Sequence, residues 1–173
     1  MNAATQAVES SNDFVISRVF DAPRELVWQA FTDPERMKQW WGPKGFTVMA
    51  SNMDLRVGGT YHYGLKAPNG AMMWGRFVFR EIVAPERLEL IDSFSDEAGG
   101  VTRHPMSVTW PLEMLSIFTF ENVGNKTRVT IRWSPYKATE EERHAFDTSR
   151  DSMRQGWGGT MAQLADYLAK AQA

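Results

Sequence analysis

From Phe14 to Phe20 the side chains alternate, with Phe14, Ile16, Arg18 and Phe20 on one parity and Val15, Ser17 and Val19 on the other. The β-branched and aromatic content predicts a strand. Pro23 opens a helix in which Leu26, Val27, Ala30 and Phe31 recur at helical spacing. Asp33-Pro34 reads as an N-cap followed by proline at the first position of a second short helix, which carries Met37, Trp40 and Trp41 and ends at Gly42-Pro43.

Phe46 to Met53 alternates again, Gly58-Gly59 makes a turn, and Tyr61, Tyr63 and Leu65 share one face of the next strand with His62 on the other. Pro68-Asn69-Gly70 has the residue types of a hairpin turn, Met72 to Val83 reads as a long strand, and Pro85-Glu86 leads into Leu88 to Phe94. From Asp96 to Leu112, Gly99, Gly100, Pro105 and Pro111 break any period, which predicts a long loop, and loops of this length are often functional. A last hairpin turns at Gly124-Asn125, with Phe118 and Phe120 on one strand and Val129, Ile131 and Trp133 on the other.

Thr139 with Glu142 three residues on is a capping-box signature and is expected to open the longest helix. Phe146, Met153, Trp157, Thr160, Met161, Leu164 and Leu168 fall near one stripe of it. Gly156, Gly158 and Gly159 interrupt this helix at about 1 kcal/mol each relative to alanine, which suggests close approach to a sheet or a ligand.

The predicted order is one strand, two short helices, six strands and a long C-terminal helix. Successive hairpins imply an antiparallel sheet, and the long helix must lay its apolar stripe across the concave face. A sheet curled round a helix can leave a cavity between them. The α+β domain is expected to span residues 13–173. Residues 1–12, which lack the basic start and apolar run of a secretory signal, are expected to form a flexible tail.

Composition narrows the function. Nineteen Lys and Arg against 21 Asp and Glu leave a formal charge of -2, no excess positive field for nucleic acid. No stretch approaches the ~20 apolar residues of a membrane span. The absence of cysteine removes thiolate nucleophiles and soft zinc sites and fits a reducing cytoplasm. What stands out is bulk, with seven Trp, ten Phe, four Tyr and ten Met, residues that fill irregular cores and also line apolar cavities.

The segments FDAPRELVWQAFTDPERMKQWWGP at 20–43, MDLRVGGTYHY at 53–63, HPMSVTWPLEM at 104–114 and QGWGGTMAQLADYL at 155–168 resemble the SRPBCC or START-like superfamily. Within it, they are similar to the bacterial homologues of the heat shock protein 90 ATPase activator, with the 104–114 loop resembling one bacterial branch. The resemblance implies a helix-grip fold with an internal cavity, in a superfamily that hosts lipid carriers, hormone receptors, polyketide cyclases and chaperone partners. The chain is expected to lack the additional N-terminal domain of eukaryotic chaperone activators.

Three classes of function are compatible with these residues. The leading expectation is a non-enzymatic binder of a small hydrophobic or amphipathic molecule, without cofactor or metal, acting as a monomer or homodimer. Trp41, Tyr61, Tyr63, Phe118, Trp133 and Trp157 are expected to converge between helix and sheet, with about half of them forming pocket wall, since an inward aromatic is more often plain core. Met73, Met106, Met153 and Met161 are expected to make that wall adaptable, and Trp110 to serve as a lid at the mouth. The second class is a cyclase, hydratase or hydrolase that moves a proton through Glu113, His104 or Arg150. The third is a chaperone-interaction module, implied by the resemblance. His62, His104 and His144 lie too far apart in sequence to form a recognisable metal motif, and no nucleophile elbow is present.

Overall fold

In a computed structural model, which describes residues 13–173, strand β1 (Phe14–Phe20) is followed by helices α1 (Arg24–Thr32) and α2 (Pro34–Met37). Strands β2 (Thr47–Met53), β3 (Thr60–Lys66), β4 (Met72–Val83), β5 (Arg87–Ser95), β6 (Val101–Thr102), β7 (Met114–Val123) and β8 (Lys126–Pro135) come next. Helices α3 (Glu140–Asp147) and α4 (Arg150–Ala171) complete the chain. The tail expected at residues 1–12 lies outside the described residues.

All strand pairings are antiparallel, in the order β1-β8-β7-β5-β4-β3-β2, with β6 paired to β5. The arrangement is a curved antiparallel sheet with a long C-terminal helix, the helix-grip α+β fold. Asp33 caps α2 by accepting a hydrogen bond from the Glu35 amide at 2.9 Å, with Pro34 in the first turn, as the Asp-Pro pair predicts.

The C-terminal region differs from the expected single helix. Thr139 and Glu142 do form a capping box, but it opens the separate helix α3. At the break the Thr148 hydroxyl donates to the His144 carbonyl at 3.0 Å and the Ser149 hydroxyl to that of Ala145 at 2.7 Å. Such back-bonding competes with the helical ladder and redirects the chain. Helix α4 then buries Met153, Thr160, Met161, Leu164 and Leu168, the expected stripe.

Two apolar clusters hold helix to sheet. The larger one packs Val27, Trp28 and Phe31 of α1 and Met161, Leu164 and Leu168 of α4 against Phe118, Phe120, Val129 and Ile131. The smaller one joins Phe14, Met114, Phe146 and Met153, and Trp157 packs against both. Burying a side chain of this size contributes on the order of 1.5–3 kcal/mol. Thr160 and Gln163 of α4 also donate to the Gly42 carbonyl, at 3.1 and 2.7 Å, fastening the helix to the turn after α2.

The Asp96–Leu112 region is only partly the loop expected. Val101 and Thr102 pair with Ser95 and Phe94, alongside the part of β5 beyond the reach of β7, whose ladder with β5 ends at Asp92 and Met114. The chain between β6 and β7 leaves the sheet there, carrying His104 and Trp110 to the cavity.

Candidate functional site

Between the concave face of the sheet and α4 lies a cavity of about 510 Å³. That falls within the roughly 300–1,000 Å³ typical of small-molecule sites. Its walls come from the turn after α2 (Trp41, Gly42, Pro43), from β3 to β5, from β7 and β8, from the 104–112 segment, and from α4. Trp41 packs edge-on against Tyr63, Phe77 and Trp157, and Trp157 in turn against Phe118 and Trp133. The rings support one another round the cavity in the edge-to-face geometry that aromatic pairs prefer.

The polar part of the wall centres on Asp92, which lines the cavity from the middle of the sheet. Oδ1 of Asp92 accepts hydrogen bonds from the Ser116 hydroxyl and, at 3.0 Å, from Trp133 Nε1. Both bonds fall on one oxygen, and among the described residues no side chain holds Oδ2. Burial pushes the Asp92 carboxyl up to about 6, against the opposing pull of the bonds from Ser116 and Trp133.

Tyr63 reaches this group because of Gly75, its partner on β4. A Cβ on Gly75 would collide with the Tyr63 phenol, so only glycine lets the ring lie across the strand toward Asp92 on β5. Burial, then the Asp92 and Tyr61 charges, push the Tyr63 phenol well above its ordinary value, so it stays a neutral hydroxyl. The Trp41 indole N–H, buried beside it, has no hydrogen bond of ordinary geometry.

His104 closes one end of the cavity, its ring against Phe94 and Trp110 at 4.7 and 6.4 Å between centroids. The Met106 amide donates to His104 Nδ1 at 2.9 Å, which leaves Nε2 to carry the proton of the neutral ring. Burial holds the imidazole below its usual value. The segment is pinned by Glu142 of α3, whose carboxylate accepts from Arg103 at 2.7 Å and from the Leu112 amide at 3.1 Å.

Of the residues singled out in the sequence, Trp41, Tyr63, Met73, Trp110, Phe118, Trp133, Met153 and Trp157 all line the cavity. Tyr61 does not. It is wholly buried behind Tyr63, with its hydroxyl hydrogen-bonded to Ser51 at 2.8 Å. Met161 is 4% exposed in the larger core, and Met106 is 89% exposed on the outside of its loop, where the turn points it away from the wall. Among the proton-transfer candidates His104 alone is on the wall. Glu113 lies off it, and Arg150 donates to the Asp13 carbonyl and to Asp147 instead.

Of the two expectations for the glycines of α4, close approach to the sheet is not found. Nothing lies within 4 Å of a Cβ built on Gly156 or Gly158, and Gly159 meets only Lys44 Cβ at 3.9 Å. Gly156 instead borders the cavity. Asp92 and Ser116 are the functional candidates that the sequence reading passed over. The signal was there in the alternation: Leu88, Leu90, Asp92 and Phe94 share a parity, as do Met114, Ser116, Phe118 and Phe120, so each polar residue falls on an inward face.

Among the described residues no group of His, Asp and Glu is placed to hold a metal ion, and no helix is long and apolar enough to cross a membrane.

Known structures share this architecture. A protein from Arthrobacter aurescens, solved by NMR, is 28% identical, with a TM-score of 0.76 over 94% of this chain and 88% of its own. A crystal structure from Mycobacterium smegmatis is 23% identical, with a TM-score of 0.74 over 93% of each chain. The AHSA1 protein from Silicibacter pomeroyi is 20% identical, with a TM-score of 0.69 over 92% of this chain and 99% of its own. No curated protein matches the sequence. The model of the family described as "Activator of Hsp90 ATPase homolog 1-like protein" matches residues 21–169, nearly the whole of the described fold, and the chain belongs to that family.

Proposed function

We propose that this protein binds a small hydrophobic or amphipathic molecule in its internal cavity without transforming it. The observation that carries this reading is the cavity of about 510 Å³ between α4 and the sheet, walled by Trp41, Tyr63, Phe77, Trp133 and Trp157. A core of this composition would ordinarily close on itself to native density, so retained space with aromatic walls suits an apolar guest. Trp110 and the segment pinned by Glu142 form the gate at one end. The cysteine-free chain suits a reducing compartment, and we place it in the cytoplasm.

Native mass spectrometry of the freshly purified protein, joined to thermal shifts over a panel of aromatic and aliphatic small molecules, tests the reading. A retained adduct or a concentration-dependent rise in Tm supports it. The bare mass with no shift across the panel overturns it.

Asp92 supports a second reading, a cyclase- or hydrolase-type enzyme in which this half-buried acid moves a proton. An Asp92→Asn variant that keeps ligand affinity but loses turnover of a candidate substrate would favour it. The family description supports a third, interaction with a chaperone ATPase, for which Met106 and Val108, 89% and 79% exposed, offer apolar surface. Co-purification of a chaperone that is lost on Met106→Ser with Val108→Ser would favour that one.

A further inference from the structure

We propose that the cavity takes an organic ammonium, its charged head against Oδ2 of Asp92 and its apolar body among the aromatic rings. This deepens the reading of the cavity as a small-molecule site, and rests on it, by naming the chemistry of the guest.

The cavity wall carries a charge that the described residues leave without a counter-ion. Asp92 takes part in none of the ion pairs among the described residues, which are made by other carboxylates. Among the described residues no Lys or Arg lines the cavity. His104, which does, is held below its usual value by burial and supplies little positive charge at neutral pH. What holds Asp92 is a set of neutral donors, the Ser116 hydroxyl and the Trp133 indole, both on Oδ1, together with its own backbone amide. A carboxylate on an apolar wall with no ion-pair partner is costly unless a cation or a strong donor meets it.

The surroundings suit a cation. Phe77 is the cross-strand partner of Asp92, Trp133 is hydrogen-bonded to it, and Tyr63 lies close enough to feel its charge. Aromatic faces attract a cation within about 6 Å, by roughly 2 kcal/mol or more once water is excluded. An anionic guest would meet the Asp92 charge with no counter-ion on the wall. A neutral guest would leave that charge unmatched. An ammonium meets both the Asp92 charge and the rings.

Calorimetric titration of the full-length protein at about pH 7.5 with phenylbutylamine, phenylbutanol and phenylbutyrate, near-isosteric probes that differ in head-group charge, tests the proposal. The expected result is amine binding at least about tenfold tighter than the alcohol, with the acid weakest of the three. In Asp92→Asn the amine should fall to the affinity of the alcohol, while the alcohol binds at least as well as before. Asp92→Ser serves as the second variant if the amide disturbs the Ser116 and Trp133 bonds, and melting curves establish that each is folded. Equal or tighter binding of the alcohol or acid to the unmodified protein overturns the ammonium proposal and leaves the small-molecule reading standing. An amine preference that survives in both folded variants also overturns it. Failure of all three probes to bind counts against both readings together.

Discussion

The guanidinium of Arg103, in the segment that borders the cavity, donates to the carboxylate of Glu142 at 2.7 Å, and Glu142 is also the third residue of the capping box that starts α3. The same carboxylate accepts from the Thr139 amide at 2.9 Å and the Leu112 amide at 3.1 Å, so one buried side chain ties a helix start to both ends of that segment. Taken alone, the backbone freedom of Gly99 and Gly100 favours easy opening of a lid built on this segment. The Glu142 clamp argues for slower opening, because charge-assisted bonds must break first.

We therefore expect Glu142→Gln to raise the ligand off-rate more than it changes equilibrium affinity, measured by stopped-flow tryptophan fluorescence. The pH dependence has a definite sign. The Thr139 amide foremost, then Arg103, with the Leu112 amide adding, hold the Glu142 carboxyl down at about 2 against an ordinary 4.5. A depressed carboxyl contributes stability that is fully present above 4.5 and lost as pH falls toward 2. Urea midpoints taken between these values should fall more steeply with acid for the native chain than for Glu142→Gln. Parallel curves would show that the clamp carries no such stability.

Asp92 should act in the opposite sense. Its carboxyl is raised from 3.8 to about 6, foremost by burial, so the folded state holds its proton more tightly than the unfolded chain does. Stability from this group falls as pH rises from 3.8 to 6 and is level above that, a loss of about 3 kcal/mol at about 1.4 kcal/mol per unit. Asp92→Asn removes that titration while Tyr63, Ser116, Trp133 and His104 around the cavity remain. Ligand-free, the variant should gain on the native protein as pH rises from about 4 to about 7.5. A difference that stays flat over that range would mean that the acid is well hydrated.

Gly156→Ala should separate helix stability from ligand space. The position is helical, and a Cβ there meets nothing within 4 Å, so alanine should stabilise α4 by up to about 1 kcal/mol. It borders the cavity, so the added methyl group should also weaken binding of bulky guests. Gly158→Ala, equally uncrowded but off the wall, should give the stability without the loss of affinity. Chemical denaturation and ligand titration on the two variants check this, and equal affinities would show that the guest does not reach α4.

Trp157 stands between the two apolar clusters, half-buried, with its ring against Trp41, Phe118 and Trp133. A fully packed tryptophan costs ~3–5 kcal/mol on truncation to alanine, whereas one with a side open to a cavity should cost about 2 kcal/mol. Its fluorescence should respond to ligand. A loss within the full-core range of ~3–5 kcal/mol, with emission unchanged by any bound guest, would place it in closed core.

Most of the fold was legible in the chain because its signals are local. Alternation from Phe14 to Phe20 and from Met72 to Val83, the Asp33-Pro34 cap, the Thr139–Glu142 box and the Gly124-Asn125 turn each depend on neighbours a few residues away, and each marks the element found there. The break at Thr148-Ser149 was missed because the apolar stripe runs on through it from Phe146 to Met153, while the hydroxyl bonds that divide the helix depend on side-chain rotamers.

The site was legible only as a class of residue. Parity puts Tyr61 and Tyr63 on the same face, yet one is wholly buried beneath its neighbours and the other lines the cavity, a distinction decided by sheet curvature and by the missing side chain at Gly75. Met106 is apolar but points outward at 89% exposure, since an irregular segment has no period from which to read direction. Asp92, Ser116 and Trp133 come from three strands, and tertiary structure alone determines that two side-chain donors share one oxygen of Asp92 on the cavity wall. Local pattern settles which face of a strand turns inward. Whether that face meets packed side chains or open space depends on how far the whole sheet bends round α4, a property of contacts between residues distant in sequence.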